Sequence, residues 1–145
     1  MRDFPIRPLG IEDYEEMTAL WEKAELSYRP RGRDARDEIA VQVKRDDLRI
    51  LGMFDGEKLI GTILCSSDGR RGWINRLAVD PDYRRQGLSQ RLIEASEDFL
   101  RSLGLKVIAA LIEDYNEASI AAFKKAGYLY GRDIMYFSKR SSWDD

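Results

Sequence analysis

Histidine is absent from this chain, and cysteine occurs once, at position 65. The missing imidazole excludes Ser-His-Asp and Cys-His nucleophilic catalysis and every His-bearing zinc site, so no metal centre is expected. Any general base must be a carboxylate, a tyrosine, a lysine, the lone thiol or a water. Cys65 has no partner for an internal disulfide, which fits a reducing compartment; in its apolar stretch it reads as a small core residue. Long hydrophobic runs are also missing. The longest, Val107 to Ile112, is far too short to span a bilayer. Met1-Arg2-Asp3-Phe4-Pro5 shows no apolar segment followed by a cleavage site, so no leader and a cytoplasmic location are expected. A formal charge of −2 leaves no overall basic field, and no nucleic-acid partner is expected.

What is present is a globular balance: 145 residues, 43% hydrophobic and 34% charged, enough for one domain over 1–145 with a real core. Strand-like and helix-like stretches alternate. Phe4 to Leu9, broken by Pro5 and Pro8, suits an edge strand. Glu12 and Asp13 open a helix carrying Tyr14, Met17, Leu20, Trp21 and Ala24 at helical spacing. Asp34 is placed to cap a second helix with Ile39 and Val43 on one face. Leu48 to Phe54, a turn at Asp55-Gly56, and Leu59 to Cys65 read as a hairpin. Trp73 to Val79 follows and stops at Asp80-Pro81-Asp82. A helix is expected from Arg85 to Leu103, with Leu88, Leu92, Phe99 and Leu103 buried and Gly104 ending it. Leu105 to Glu113, apolar on both faces, suits a central strand. Glu117 to Ala126 is a helix, and Tyr128–Tyr130 and Ile134–Ser138 are closing strands. The order β-α-α-β-β-β-α-β-α-β-β implies an α/β (α+β) mixed sheet with helices on both faces. Trp21 and Trp73 read as core, and the tail after Arg140 as frayed.

The stretch Leu77-Ala78-Val79-Asp80-Pro81-Asp82-Tyr83-Arg84-Arg85-Gln86-Gly87-Leu88-Ser89 carries the chemistry. It runs strand, stop, arginine pair, glycine, small residue, long amphipathic helix. A helix N-terminus exposes unpaired N–H groups and the positive end of the dipole, which together favour an anion such as phosphate. Gly87 lacks a Cβ and lets an anion approach the backbone. No Gly-Lys-Ser/Thr follows and Gly-x-Gly-x-x-Gly is absent, so this is neither a Walker loop nor a dinucleotide fingerprint. On this physics alone, a phosphate site and an unoccupied strand–helix junction stand side by side.

Arg84-x-x-Gly87-x-Ser89 after Leu77-Ala78-Val79-Asp80-Pro81 resembles the acetyl-CoA motif of the GCN5-related N-acetyltransferases, Gln/Arg-x-x-Gly-x-Gly/Ala, with Ser89 as a small-for-small departure. A second block, Asn116-x-x-Ser119-x-x-x-Phe123-x-x-x-Gly127-Tyr128, resembles the same family, most closely the small bacterial and archaeal members similar to ribosomal-protein alanine acetyltransferases. The resemblance covers essentially the whole chain. It implies a GNAT-like fold, acetyl-CoA as cosubstrate and an amine acceptor, either a small molecule or a protein amine. It assigns the coenzyme pyrophosphate to the backbone of Arg85, Gln86, Gly87, Leu88 and Ser89, with Arg84 and Arg85 at the mouth. Leu77, Ala78 and Val79 would face the pantetheine arm, and this strand would splay from the one ending near Glu113. Asn116 is read equally as a contact to that arm and as a helix cap. Lys124 and Lys125 are read chiefly as a solvated face.

The resemblance also implies that Phe123 stands where family members usually carry the tyrosine that protonates the departing thiolate. Either a neighbour (Tyr115, Tyr128 or Tyr130) substitutes, or no acid is used, since a thiol pKa of roughly 8–9 makes thiolate a tolerable leaving group. Glu113 and Asp114 are the candidate bases, each weighed against an ordinary loop carboxylate, with an ordered chain of water as the alternative; Asn75 occupies a position range where some members carry a catalytic glutamate. The arginine-rich loop Tyr28 to Asp34 falls where the family binds its acceptor. Three functions remain open: an acetyl-CoA-dependent N-acetyltransferase; a non-catalytic acetyl-CoA-binding sensor or interaction module; or a nucleotide-binding domain of another kind, which rests only on the phosphate site and would prefer ATP or a dinucleotide to coenzyme A. Edge strands near the C-terminus offer a route to a homodimer.

Overall fold

The computed structural model describes residues 3–145; Met1 and Arg2, part of the stretch read above for a leader, lie outside the described residues. A five-stranded sheet in the order β1-β2-β3-β4-β5 is built from Ile6–Pro8, Leu48–Asp55, Lys58–Ser67, Gly72–Val79 and Ile108–Ala110. The first four strands are antiparallel neighbours, and β5 joins β4 in parallel. Helices α1 (Tyr14–Lys23) and α2 (Arg36–Gln42) cover one face, while α3 (Leu88–Ser102) and α4 (Glu117–Lys125) cover the other. No helix among the described residues is long and apolar enough to cross a membrane.

Strand alternation feeds both cores. In β2, Leu48, Ile50 and Phe54 enter the layer under α1 and α2, with Met17, Leu20, Trp21 and Ile39. Leu51 and Met53 enter the layer under α3. In β4 the alternation breaks. Ile74 and Leu77 lie on the same side, because Thr62 pairs with Ala78 while Leu64 pairs with Asn75, leaving Arg76 and Leu77 opposite Ile63. This is a β-bulge, and its first residue, Arg76, has φ +54°.

Several elements differ from the sequence reading. α3 begins at Leu88, not Arg85, because Gly87 takes the left-handed conformation (φ +74°) just before it. Its buried stripe is Leu88, Leu92, Ile93, Ser96 and Leu100; Leu103 lies past the last turn and is exposed, and Phe99 is only partly covered. Burying each of the stripe's large aliphatic side chains contributes about 1.5–3 kcal/mol. Asp34 does not cap α2: its carboxylate turns inward to Arg76 (2.6 Å) and the Arg29 N–H (2.7 Å), and Ala35 takes the cap position without a side-chain bond. Trp21 is fully buried, its indole N–H donating to Thr62 Oγ1 at 3.0 Å, whereas Trp73 is half-buried and donates to Asp68 at 3.0 Å beside the β3–β4 turn.

The expected central strand over Leu105 to Glu113 shortens to β5 and has β4 as its one neighbour. Tyr128–Tyr130 and Ile134–Ser138 form no strand, so no ladder encloses β5 from the other side. The tail after Arg140 is not frayed. Asp144 pairs with Arg31 at 2.8 Å, and a Cβ on Gly32 would collide with the Asp144 carbonyl.

Candidate active site

The site begins where β4 and β5 part. They pair at Gly72–Ile74 against Ile108–Ala110 and no further. From Asn75 to Val79, β4 keeps pairing with β3 on one side and loses its neighbour on the other. A ladder cannot continue past the bulge at Arg76 in register, so the gap is built into the backbone. Leu77 and Ala78 are buried with their side chains in opposite cores, which leaves the backbone edge as the exposed feature of this stretch.

β4 leads into a turn held by Asp80. Its carboxylate accepts from the Asp82 N–H at 2.9 Å and from the Lys23 ammonium at 3.0 Å, with Lys58 at 3.8 Å. Burial alone would raise the Asp80 pKa, but the Asp82 N–H and the lysines prevail and hold it below the usual carboxylate value. Tyr83 donates to Asp55 at 2.6 Å and packs edge-on against Phe4, 5.8 Å between ring centres. The turn therefore aims a fixed platform at the residues that follow.

Arg84, Arg85, Gln86 and Gly87 are all exposed. Arg85 (φ +64°) and Gly87 (φ +74°) are both left-handed, a backbone form that turns successive N–H groups toward one concavity and favours an anion. α3 then starts without a capping side chain and without an acidic residue in its first turn. Its first N–H groups have no intrahelical acceptor, and nothing lies within 4 Å of where a Gly87 Cβ would stand. Arg84, Arg85, Gln86, Gly87, Leu88 and Ser89 thus come together as one cationic, donor-rich rim. Gln90 ties it to α4 through a bond to the Ala122 carbonyl at 2.9 Å.

Across the gap, the chain beyond β5 carries Glu113 and Tyr115, both exposed, and neither side chain has a hydrogen bond or ion pair among the described residues. Asn116 accepts from the Ser119 N–H at 3.1 Å and caps α4, which realises one of its two readings and leaves its amide N–H groups available. Phe123 is buried in the α3-side core, edge-on to Tyr128 at 5.0 Å. The Tyr128 hydroxyl donates to Glu97 at 2.7 Å, and burial followed by that bond pushes its pKa well above the usual tyrosine range. It is committed to structure and drops out as a proton donor. Cys65 is fully buried, with its thiol pushed up to about 11 by desolvation, in keeping with a core residue.

The sequence reading missed Arg76. Its guanidinium bonds Asp34 and the Ser27 carbonyl (3.1 Å) and lies 5.8 Å from the Trp21 ring, while its Nε is buried without a partner. It anchors the arginine-rich loop to β4. No local signal marks it, since a bulge depends on the register of two strands. A concavity of about 710 Å³ lies on this side, away from the α3 rim, walled by Arg31, Arg33, Asp37 and Glu38 and by Tyr136 and Arg140. Arg31 is neutralised by Asp144. Among the described residues, Arg33 has no acidic ion-pair partner; packing and the nearby Arg76, Arg140 and Arg29 lower its pKa, with Asp34 opposing.

The Acetyltransferase (GNAT) family matches residues 14–128. A Sodalis glossinidius protein named acetyltransferase SG1711 is 32% identical over 136 residues, 93% of this chain and 94% of its own. Acetyltransferase plu1384 of Photorhabdus laumondii is 33% identical over 137 residues, with the same coverage of 93% and 94%. Among solved structures, aminoglycoside acetyltransferase AAC(6')-Iy with a CoA-linked bisubstrate analogue superposes with a TM-score of 0.78 at 17% identity, covering 96% of this chain and 99% of that one. The PaiA N-acetyltransferase of Thermoplasma acidophilum in complex with coenzyme A superposes at 0.75 with 18% identity, covering 86% and 88%. At such identities, these two are similar in fold.

Proposed function

Because the chain belongs to the Acetyltransferase (GNAT) family of N-acetyltransferase enzymes, we propose that it binds acetyl-CoA and passes the acetyl group to a primary amine by direct attack in a ternary complex. One observation carries this reading. The open edge of β4, the left-handed turn at Arg85–Gly87 and the uncapped start of α3 form one continuous run of backbone donors and acceptors. The N–H groups from Arg85 to Ser89 would hold the pyrophosphate, with Arg84 and Arg85 adding charge. Leu77, Ala78 and Val79 would pair with the pantetheine arm as a strand would. Asn116 offers its amide from the far side of the gap. The coenzyme A complexes of structurally similar proteins support the assignment.

The amine must arrive neutral, so Glu113, or water beside it, takes the ammonium proton. The nitrogen lone pair then forms the C–N bond, the C–S bond breaks, sulfur leaves with the electron pair, and the proton left on the now cationic nitrogen passes to water or to the departing thiolate, giving the amide. Phe123 cannot donate a proton. Thiolate leaves unassisted, given a thiol pKa of about 8–9, or Tyr115 supplies the proton. Most of the rate gain comes from holding amine and thioester together, an effect worth up to roughly 7–11 kcal/mol. The concavity beside Arg31 and Arg33 is where the acceptor would enter, and the aminoglycoside acetyltransferases among the fold neighbours support a small-molecule amine. A lone, buried cysteine supports a cytoplasmic setting.

Calorimetric titration with acetyl-CoA and, separately, ATP tests the site. Wild type should bind acetyl-CoA with Kd on the order of 10 µM or tighter and ATP far more weakly. Gly87→Glu should abolish the former while the chain stays folded. A folded wild type that ignores acetyl-CoA would sink the reading. Phe123 also favours a second reading, a coenzyme-binding module without turnover, which is chosen if acetyl-CoA binds and no amine is acetylated.

A further inference from the structure

The loop between α1 and α2 is tied down along its backbone. Asp34 accepts from the Arg29 N–H at 2.7 Å and from the Arg76 guanidinium at 2.6 Å, and Arg76 also bonds the Ser27 carbonyl at 3.1 Å. The Gly32 and Asp34 N–H groups both donate to the Arg29 carbonyl at 3.0 Å, and the Ala35 N–H donates to the Gly32 carbonyl at 3.0 Å. Gln42 of α2 donates to the Arg33 carbonyl at 2.8 Å. The turn that carries Arg29, Arg31 and Arg33 is therefore held by its own bonds. Through Arg76 it is fastened to the bulge of β4, just past the last β4–β5 pair.

The charges on this turn are unevenly answered. Arg31 meets Asp144 at 2.8 Å, and Arg140 donates to the Asp145 carbonyl oxygen. Arg33 lines the same concavity, is exposed, and has no acidic ion-pair partner among the described residues. Arg76, Arg140 and Arg29 lie close enough to repel it, and Asp34, which opposes them, is held by Arg76. Asp37 and Glu38 share the concavity, but they stand in the first turn of α2, where they answer the helix dipole. A solvated arginine would fan away from its like-charged neighbours. Here a bonded turn keeps several guanidinium groups together, which raises their free energy, and an anion among them lowers it.

We propose that Arg33 is a specificity residue for the acceptor: it receives a carboxylate or phosphate carried by the amine that is acetylated, so that the substrate class is an anionic primary amine. This rests on the acetyltransfer reading above and adds to it the charge of the acceptor. A guanidinium presents a planar fork of N–H donors that matches either anion bidentately. The Arg31–Asp144 pair shows that an arginine of this turn takes a carboxylate within the same cleft. A turn already held by its own bonds loses little freedom on binding. Its tie to β4 through Arg76 sets the distance between the anchored anion and the open strand edge where the thioester would lie, and so helps to place the amine.

Thiol release from acetyl-CoA, measured with small primary amines of similar size, tests it. β-Alanine and phosphoethanolamine carry an anion, propylamine carries no second charge, and diaminopropane carries a second cation. The expected result is a kcat/KM at least about tenfold higher for the anionic pair, falling as salt is raised. In Arg33→Gln the KM of that pair should rise at least about tenfold more than the KM of propylamine, with kcat changed less than about threefold. Arg33→Lys should recover part of the loss. Titration with acetyl-CoA checks that each variant is folded, and β-alanine against phosphoethanolamine decides between carboxylate and phosphate. Equal or better turnover of propylamine or diaminopropane overturns the proposal and leaves acetyltransfer standing. So does an Arg33→Gln loss shared equally by all four amines, which marks a structural role. No thiol release with any amine, from a chain that binds acetyl-CoA, overturns acetyltransfer itself and the proposal with it.

Discussion

Arg76 is the residue that ties the arginine-rich loop to β4. It sits at a left-handed position in a strand and pairs with the almost fully buried Asp34 while itself mostly buried. Removing one partner leaves the other charge uncompensated, so Arg76→Ala should cost about 3–5 kcal/mol, read by urea unfolding. A loss under about 1 kcal/mol would assign the pair to the exposed class. Phe123 makes the opposite case, a position that the family resemblance reads as a proton donor's and that a buried, packed ring occupies. In Phe123→Tyr a hydroxyl is added to a side chain buried in the α3-side core, and stability should fall by about 1–3 kcal/mol. If thiolate leaves unassisted, kcat should change less than about threefold, whereas a rise above about tenfold would show that the missing acid limits turnover. Gly127 was readable as the end of α4, where it takes positive φ; Gly87 was read for its missing Cβ, and its left-handed turn ahead of α3 was not. Arg76 was not, because no neighbouring residue announces a bulge.

At the scale of elements, turn chemistry decides what holds. The β3–β4 connection is stapled by Asp68, which accepts from the indole N–H of Trp73 and from the Arg71 and Arg70 N–H groups. These bonds, the indole's first, lower its pKa to about 2 from 3.8. A depressed carboxylate contributes stability that is fully present above the unfolded value and lost as pH falls through the folded one. The turn should therefore hold above about pH 4 and loosen toward pH 2, and Trp73 fluorescence should report it. Asp68→Asn should flatten that change; an unaltered acid profile would exclude the staple. Helices announced themselves through spacing, although the stripe of α3 follows 88, 92, 96 and 100 and so passes over Leu103. β5 was legible as a strand but not as a short one with a single neighbour, because an all-apolar run records burial without naming the neighbours that provide it.

The chain by itself determined its class, its two-faced core and its motif. Apolar period, glycine position and the arginine–glycine run before a long helix are local properties that survive in any adequate packing. Tertiary structure alone decided where the β4–β5 ladder stops, which way Arg76 points and whether Asp34 caps a helix or seals an ion pair. Those outcomes depend on strand register, and register is set by contacts between residues far apart in the chain, where a one-residue slip sends a side chain to the opposite face.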